Sequence, residues 1–425
     1  MTKKARTILF LIFAALFLLI SPLVVLYSQG YRIDFDNKKI VQTGGIYLKV
    51  IPKQTDVFLD GKLVKKTDFF FGSVLIDGLL PKNYKIEVKK ENYQGWEKNL
   101  NIKEKMVTEA KNIILFPENI SFGTLASKVK KIWLAPDQQK IVLKEETEQG
   151  WALKLYDLDK RVKSHLIYEA NISKQEADLF DLSFSENSEE IFLGSGVGEE
   201  EKYFKLEINK TSPILEEVSP PSTPEILERA VAYYEIDDDI YFLDNLGYLF
   251  KVSSSLENKI KLNENPFPLK QETDYELAVF GDYIFLRENK LLYKFNYQLN
   301  YFEEFFENTN KWRASPDSKK LAYSSDNELW VFYLKDGVLG KKAGDNFFLF
   351  RLSNKIGDFY WLNSDYLVFS AGDSVKICEI DNRDKINFAK VGEFKNPDFF
   401  WNSSDRNLYI LSEEKLYKST AELIE

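Results

Sequence analysis

The chain opens with an unbroken apolar run over residues 8–20 that resumes, after Ser21 and Pro22, over residues 23–27. Twenty residues at 1.5 Å each span about 30 Å as a helix, the thickness of a bilayer's hydrocarbon core. Beyond this run helical periodicity disappears. Short stretches alternate apolar and polar side chains with period two, which predicts half-buried strands. In IYLKVIP, Ile46, Leu48 and Val50 share one face and Tyr47 and Lys49 the other. In NYKIEVKK, Tyr84, Ile86 and Val88 alternate with Lys85, Glu87 and Lys89, and Asp60-Gly61 supplies hairpin-turn chemistry between two further strands. The pattern predicts a small β-sandwich over residues 28–117.

Past Pro117 the sequence repeats. An aromatic strand, a Ser/Asp turn and a second apolar strand recur around Trp133 and Asp137, Trp312 and Asp317, and Trp401 and Asp405. Weaker copies lie around Phe184 and Trp361. Two more segments, DDIYFLDNLGYLFKVSSSL and GDYIFLRENKLLYKFNYQL, keep the two-strand cadence without the turn. Seven units between Trp133 and Trp401 give a mean spacing near 45 residues, the period of propeller blades. The expected blade count is seven, within a range of six to eight. The final unit shows only three strands, so the strand around ISFGTLA (residues 120–126) is expected to pair into it and close the ring, removing an open edge.

Composition agrees with an all-β body: 33 Phe, 23 Tyr and 7 Trp stand against 20 Gly and 13 Pro. The net charge of −9 hides a division. By count over the sequence, residues 1–117 sum to +8 and the remainder to −17, which argues for two modules in different surroundings and against nucleic acid as a partner of the acidic part. Lys3, Lys4 and Arg6 precede the apolar run and stay cytoplasmic by the positive-inside rule, so everything after Tyr27 crosses the membrane. Cleavage as a signal peptide is disfavoured: a cut after Ser28 places Leu26 where a small residue is wanted. The expected layout is a cytoplasmic N-terminus (1–7), a transmembrane helix (8–27), the sandwich (28–117) and the propeller (118–425), with the bulk of the chain extracytoplasmic, in the periplasm or at the cell surface.

Two resemblances rest on these residues. The run from Pro52 through DVFLDGK, with Asp60, Gly61 and Lys62, and on through Tyr84 and Tyr93 is similar to the PEGA domain. It departs from that family at Lys53-Gln54-Thr55 and at Asn83, where a glycine is usual. The run Ser-Pro-Asp-x-x-Lys-Leu-Ala at Ser315 resembles the WD40-like repeat of TolB-type propellers. Both resemblances imply a protein of the bacterial envelope, and neither implies an activity.

Candidate chemistry is sparse. One histidine (His165) and one cysteine (Cys378) exclude a multi-histidine or cysteine-based metal site and an internal disulfide. No G-x-S-x-G, P-loop, G-x-G-x-x-G, H-E-x-x-H or EF-hand pattern is present, so no catalytic residue, cofactor or metal ligand is expected. The acidic runs at residues 199–201 and 237–239 read as solvated loop charge. Asp137, Asp317 and Asp405 read as turn-capping residues, and Trp133, Phe184, Trp312, Trp361 and Trp401 as packing between blades. Pro52, Asp60 and Gly61 are turn positions. The expected function is a membrane-anchored binding or scaffold protein: lipid is contacted through residues 8–27, and the propeller face engages an envelope protein or polysaccharide. The alternative is a membrane-tethered glycan hydrolase or lyase using channel carboxylates, since two carboxylates suffice for glycoside hydrolysis. The sequence sets no oligomeric state.

Overall fold

A computed structural model describes residues 3–35, 37–173, 176–197, 200–210, 213–219, 225–338 and 340–424. The chain is mostly β and divides into two units. The first comprises residues 1–119 with residues 381–389 and 424–425; the second comprises residues 120–380 and 390–423.

The first unit begins with helix α1 (Lys3–Ser28), which continues through Pro22. Residues 5–28 of this helix have a mean hydropathy of 3.0 and none of their most apolar stretch is buried by the rest of the chain. A hairpin of β1 (Tyr31–Asp34) and β2 (Lys39–Gln42) follows. Two sheets then face each other. One holds β3 (Gly44–Ile51) between β6 (Ser73–Leu79), antiparallel, and β9 (Val107–Ile114), parallel. The other runs in the order β5 (Lys62–Lys66), β4 (Asp56–Leu59), β7 (Asn83–Lys89), β8 (Trp96–Asn101). Their inner faces meet in one core that includes Ile46, Leu48 and Val50 of β3, Ile86 and Val88 of β7, and Trp96 of β8.

The alternation seen in the sequence is therefore the division between core and solvent: Ile46, Leu48 and Val50 are fully buried, whereas Lys49, Lys85 and Lys89 are exposed. Asp60 and Gly61 make the β4–β5 turn with φ of 48° and 76°. A Cβ on Gly61 would meet nothing within 4 Å, so the demand there is conformational rather than steric. Pro52 accepts a hydrogen bond on its carbonyl from the Thr55 hydroxyl at 2.5 Å. In the β5–β6 loop the Asp68 carboxylate accepts the N–H groups of Phe70, Phe71 and Ser73 and the Ser73 hydroxyl. The Ser73 hydroxyl, the largest of these influences, helps hold Asp68 down to a pKa of about 2, and Phe69, Phe70 and Phe71 are presented to solvent.

The edges of the second sheet are protected in two ways. Strand β5 is exposed throughout and carries three lysines in five residues, which discourages pairing with another chain. Strand β8 is capped by residues 381–389. Glu97 donates its N–H to Asn387 Oδ1 and accepts Asn387 Nδ2 on its carbonyl, both at 3.1 Å, so one side-chain amide completes a bridge that a neighbouring strand would otherwise make. Asn99 N–H donates to Asp384 Oδ2 at 2.7 Å, and Arg383 donates to the Glu109 carbonyl at 2.7 Å. Lys98, 1% exposed, donates from Nζ to the carbonyls of Asp381 and Lys385, each at 2.7 Å.

The second unit is a seven-bladed propeller. Six four-stranded antiparallel sheets follow one another at residues 129–168, 177–218, 230–261, 275–306, 311–351 and 356–393, each strand pairing with the next; the strands are called A to D in chain order. The seventh blade takes only A, B and C from residues 398–419. Its outer strand is β10 (Phe122–Ser127), which pairs antiparallel with the C strand, Phe122 opposite Ser419 and Ser127 opposite Lys415. The A strands of blades 3 and 4, 5 and 6, and 6 and 7 lie against each other and form the inside of the ring. Apolar side chains seal neighbouring blades, as where Phe400, Tyr409 and Leu416 of blade 7 pack on Ile141 and Leu143 of blade 1.

Candidate binding site at the mouth of the ring

Consecutive antiparallel strands place all A–B turns on one side of the ring and the starts of the A strands on the other. The turn side holds the repeated aspartates. In blades 1, 2 and 5 the A–B turn is closed by the same pair of backbone hydrogen bonds: Gln138 N–H to the Ala135 carbonyl with Ala135 N–H to Lys140, Ser188 to Ser185 with Ser185 to Glu190, and Ser318 to Ser315 with Ser315 to Lys320. Gln138, Ser188 and Ser318, and Arg406 in blade 7, take φ between 52° and 57°. The preceding side chain supports this strained position. Asp137 accepts Gln139 N–H at 2.8 Å, Asp317 accepts the Ser315 hydroxyl at 2.5 Å, and Asp405 accepts Asn407 N–H at 3.2 Å. Their remaining oxygens pair with Lys140, Lys320 and Lys418. The turns of blades 1 and 7 are neighbours, joined by Asn402 Nδ2 donating to the Gln138 carbonyl at 2.8 Å, whereas Asp317 lies two blades away from blade 7; the three carboxylates do not converge.

The recurring aromatics are distributed between blades rather than gathered. Trp133 and Phe184 pack in the core shared by blades 1 and 2, and Trp312 in that shared by blades 4 and 5. Trp361 and Trp401 are buried; Trp361 donates its indole N–H to the Arg313 carbonyl at 2.8 Å, and that of Trp401 has no partner among the described residues. His165 lies in strand D of blade 1 against Tyr168, with ring centres 3.9 Å apart, and burial lowers its pKa. Asp239 in the 237–239 run pairs with Lys251 at 2.7 Å; Glu199 lies outside the described residues. Cys378 is buried, and burial raises its pKa.

The opposite side of the ring carries a charge cluster from the A strands of blades 5, 6, 7 and 1. Lys311 and Arg313, two residues apart and therefore on one face of their strand, both reach Asp358 of the next blade: Lys311 Nζ lies 3.3 Å from Oδ2, and Arg313 NH2 lies 3.2 Å from each oxygen. The Arg313 guanidinium also stacks over Tyr360, 3.9 Å from its ring centre, and Tyr360 packs edge-on against Phe399 of blade 7. Burial pushes the Tyr360 hydroxyl up to about 12 despite that cation. Asp358 N–H donates to the Ser370 hydroxyl at 3.1 Å, which fixes the strand start.

Asp398 begins the A strand of blade 7 and has no ion-pair partner among the described residues. Loss of solvent, then the negative charge of Asp358, raises its pKa, against the pull of Lys311 and Lys131. Its residue surface is nonetheless exposed. On the other flank, Glu276 of blade 4 pairs with Arg287 and accepts the Trp312 indole N–H at 3.2 Å.

The arrangement presents fixed charges of both signs on rigid strands, with carboxylates on neighbouring blades in unequal surroundings. Because the folded pKa of Asp398 is raised, its ionised form disfavours folding above that pKa, and this penalty fades as pH falls through the folded value and is gone below the unfolded value of about 4. Asp398→Asn is thus expected to raise the melting temperature at pH 7 and to lose that advantage at pH 3.5. Unchanged melting at pH 7 would contradict the electrostatic reading.

Sequence reasoning did not single out Lys131, Lys311, Arg313, Asp358 or Asp398. One signal was present: Asp-Phe-aromatic-Trp occurs at residues 358–361 and 398–401, which sets one aspartate at the same place in two successive blades.

No protein-family model matches the chain, and no curated protein matches it. Among solved structures, it is similar to the β-propeller domain of Myceliophteria thermophila Cps50 (Swd1), with 12% identity over 71% of this chain and 100% of that one and a TM-score of 0.42. YCF48 from Cyanidioschyzon merolae gives 10% identity over 70% and 98% with a TM-score of 0.40. An oligogalacturonate lyase in complex with manganese gives 9% over 71% and 93% with a TM-score of 0.40. At such values the propeller rests on the strand order itself, and no role is carried over.

Proposed function

We propose that this chain is a membrane-anchored binding or scaffold protein. In this reading α1 is retained in the membrane, a PEGA-like sandwich follows it, and the propeller engages a protein or a cell-envelope polysaccharide on the extracytoplasmic side. The observation that carries the reading is the preformed cluster of Lys311, Arg313, Asp358 and Asp398. Charges held by ion pairs and strand geometry before any ligand arrives lose little freedom on binding, which favours recognition of a polar partner. Lys3, Lys4 and Arg6 ahead of the apolar helix support a cytoplasmic N-terminus.

The test is to immobilise the full chain in nanodiscs and to measure retention of purified cell-wall glycan and of defined envelope proteins. Retention is expected to fall at least tenfold in Lys311→Ala/Arg313→Ala. Equal retention by wild type and variant would remove the mouth from the binding surface.

A second reading rests on the carboxylates. Asp358, paired with two cations, and Asp398, whose pKa is raised by lost solvent and the Asp358 charge, resemble an acid–base pair with separated roles. It predicts turnover of a glycan panel that Asp398→Asn abolishes. Binding without turnover returns the choice to the first reading.

A further inference from the structure

The β1–β2 hairpin departs from the usual rule for a ribbon in water. Residues alternate across it, and the register Ile33↔Ile40 and Arg32↔Val41 sorts its side chains into two faces. Asp34 and Val41, on one face, are buried at 6% and 4% exposure. The other face carries Ile33 and Ile40 opposite one another, and Phe35 follows Asp34 in the turn. These three are 55%, 62% and 82% exposed. A ribbon surrounded by water places polar groups on its open face; this one places apolar groups there.

The hairpin starts where the helix stops. Tyr31 is three residues beyond Ser28, at most about 10 Å of chain, while the headgroup zone on each side of a hydrocarbon core is about 5–8 Å deep. Around the same exit, Tyr27, Met106, Val107 and Leu75 are also exposed, and they line a cleft of about 700 Å³ that includes Arg32 and Lys105. Arg32 donates to the Tyr27 carbonyl at 2.8 Å and stacks 3.5 Å from that ring, which ties the start of the ribbon back onto the helix end. Lys38 and Lys39 stand at the far end of the ribbon, and residues 28–117 carry a net charge of +5 by count.

We propose that the β1–β2 hairpin is an interfacial membrane-binding element. It lies in the headgroup zone of the bilayer that α1 crosses, with Ile33, Phe35 and Ile40 toward the acyl chains and Lys38 and Lys39 on anionic headgroups. The inference rests on the reading of α1 as a retained anchor. Apolar side chains at this depth gain from burial, and basic ones gain from a negative surface. The hairpin then sets the orientation of the sandwich on the membrane as a second point of attachment.

The test uses the full chain in nanodiscs containing anionic lipid. Cys378 is buried at 1% exposure, so an environment-sensitive thiol dye reports from introduced cysteines. Phe35→Cys is labelled, with Phe17→Cys in α1 and Phe348→Cys in the propeller as references. The expected result is a blue-shifted Phe35-site dye, quenched by shallow spin-labelled lipid and at least threefold less accessible to aqueous iodide than the Phe348-site dye. Iodide access at site 35 equal to that at site 348, with site 17 protected, overturns the hairpin proposal and leaves the anchor standing. Iodide access at both 17 and 35 overturns the anchor, and the hairpin proposal with it. A labelled Ile40→Cys gives the same reading from the opposite strand should Phe35→Cys fail to fold.

Discussion

Replacing Ala126 with aspartate is expected to destabilise the propeller by about 3–5 kcal/mol, because an uncompensated carboxylate would enter the seam that closes the ring. Ala126 is 5% exposed in β10 and packs with Val129, Ile141, Leu143, Phe400, Tyr409 and Leu416. These side chains come from blades 1 and 7, so a charge there is placed where the two halves of the closure meet. Ser127, the next residue, is exposed and pairs with Lys415. Ser127→Asp is therefore the matched control, expected to change stability by no more than about 0.5 kcal/mol. Denaturant unfolding followed by tryptophan emission separates the outcomes. If both variants unfold at the same denaturant concentration, β10 is not the strand that seals the seventh blade.

The second large effect is expected in the sandwich. Lys98→Ala removes the donor for two backbone carbonyls, those of Asp381 and Lys385, and leaves a void where a long aliphatic stem was packed. Two lost charge-assisted hydrogen bonds and the lost packing of a buried stem together place the cost at about 2–4 kcal/mol. Lys98→Met restores the packing alone and should recover only part of that loss. The site-resolved measurement is amide hydrogen exchange. The N–H groups of Glu97 and Asn99, which donate to Asn387 and Asp384, should exchange at least tenfold faster in Lys98→Ala. Protection unchanged from wild type would show that the 381–389 segment holds without its lysine.

Much of the fold was legible in the sequence because strand alternation and turn chemistry are local. Ile46, Leu48 and Val50 announce their shared face through period two alone, and the recurring Trp and Asp marks announce blades. The need for β10 followed from counting: a last unit with three strands leaves an edge. The role of residues 381–389 was not legible. DNRDKINFA is a polar stretch between strands, and its place beside β8 depends on pairing across nearly 300 residues, which no local pattern records. The mouth of the ring escaped for a related reason. Lys311, Asp358 and Asp398 are about 40 residues apart in sequence, and only the register of three A strands brings them together. The outward direction of the Ile33 and Ile40 face follows from how the ribbon buries Asp34 and Val41 on its other side, which a local pattern does not record.

The pairing of Phe122 with Ser419 also fixes an order of events during synthesis. Strand β10 leaves the ribosome first among the propeller strands, yet its partner emerges almost 300 residues later, roughly 15–60 s at ordinary elongation rates. Throughout that interval β10 has an unpaired edge, and blade 1 lacks the neighbour that covers Ile141 and Leu143. A nascent chain must therefore keep β10 unengaged until the propeller is nearly complete, which makes this short strand the place where a holding chaperone, or an erroneous strand exchange with a second nascent chain, would act.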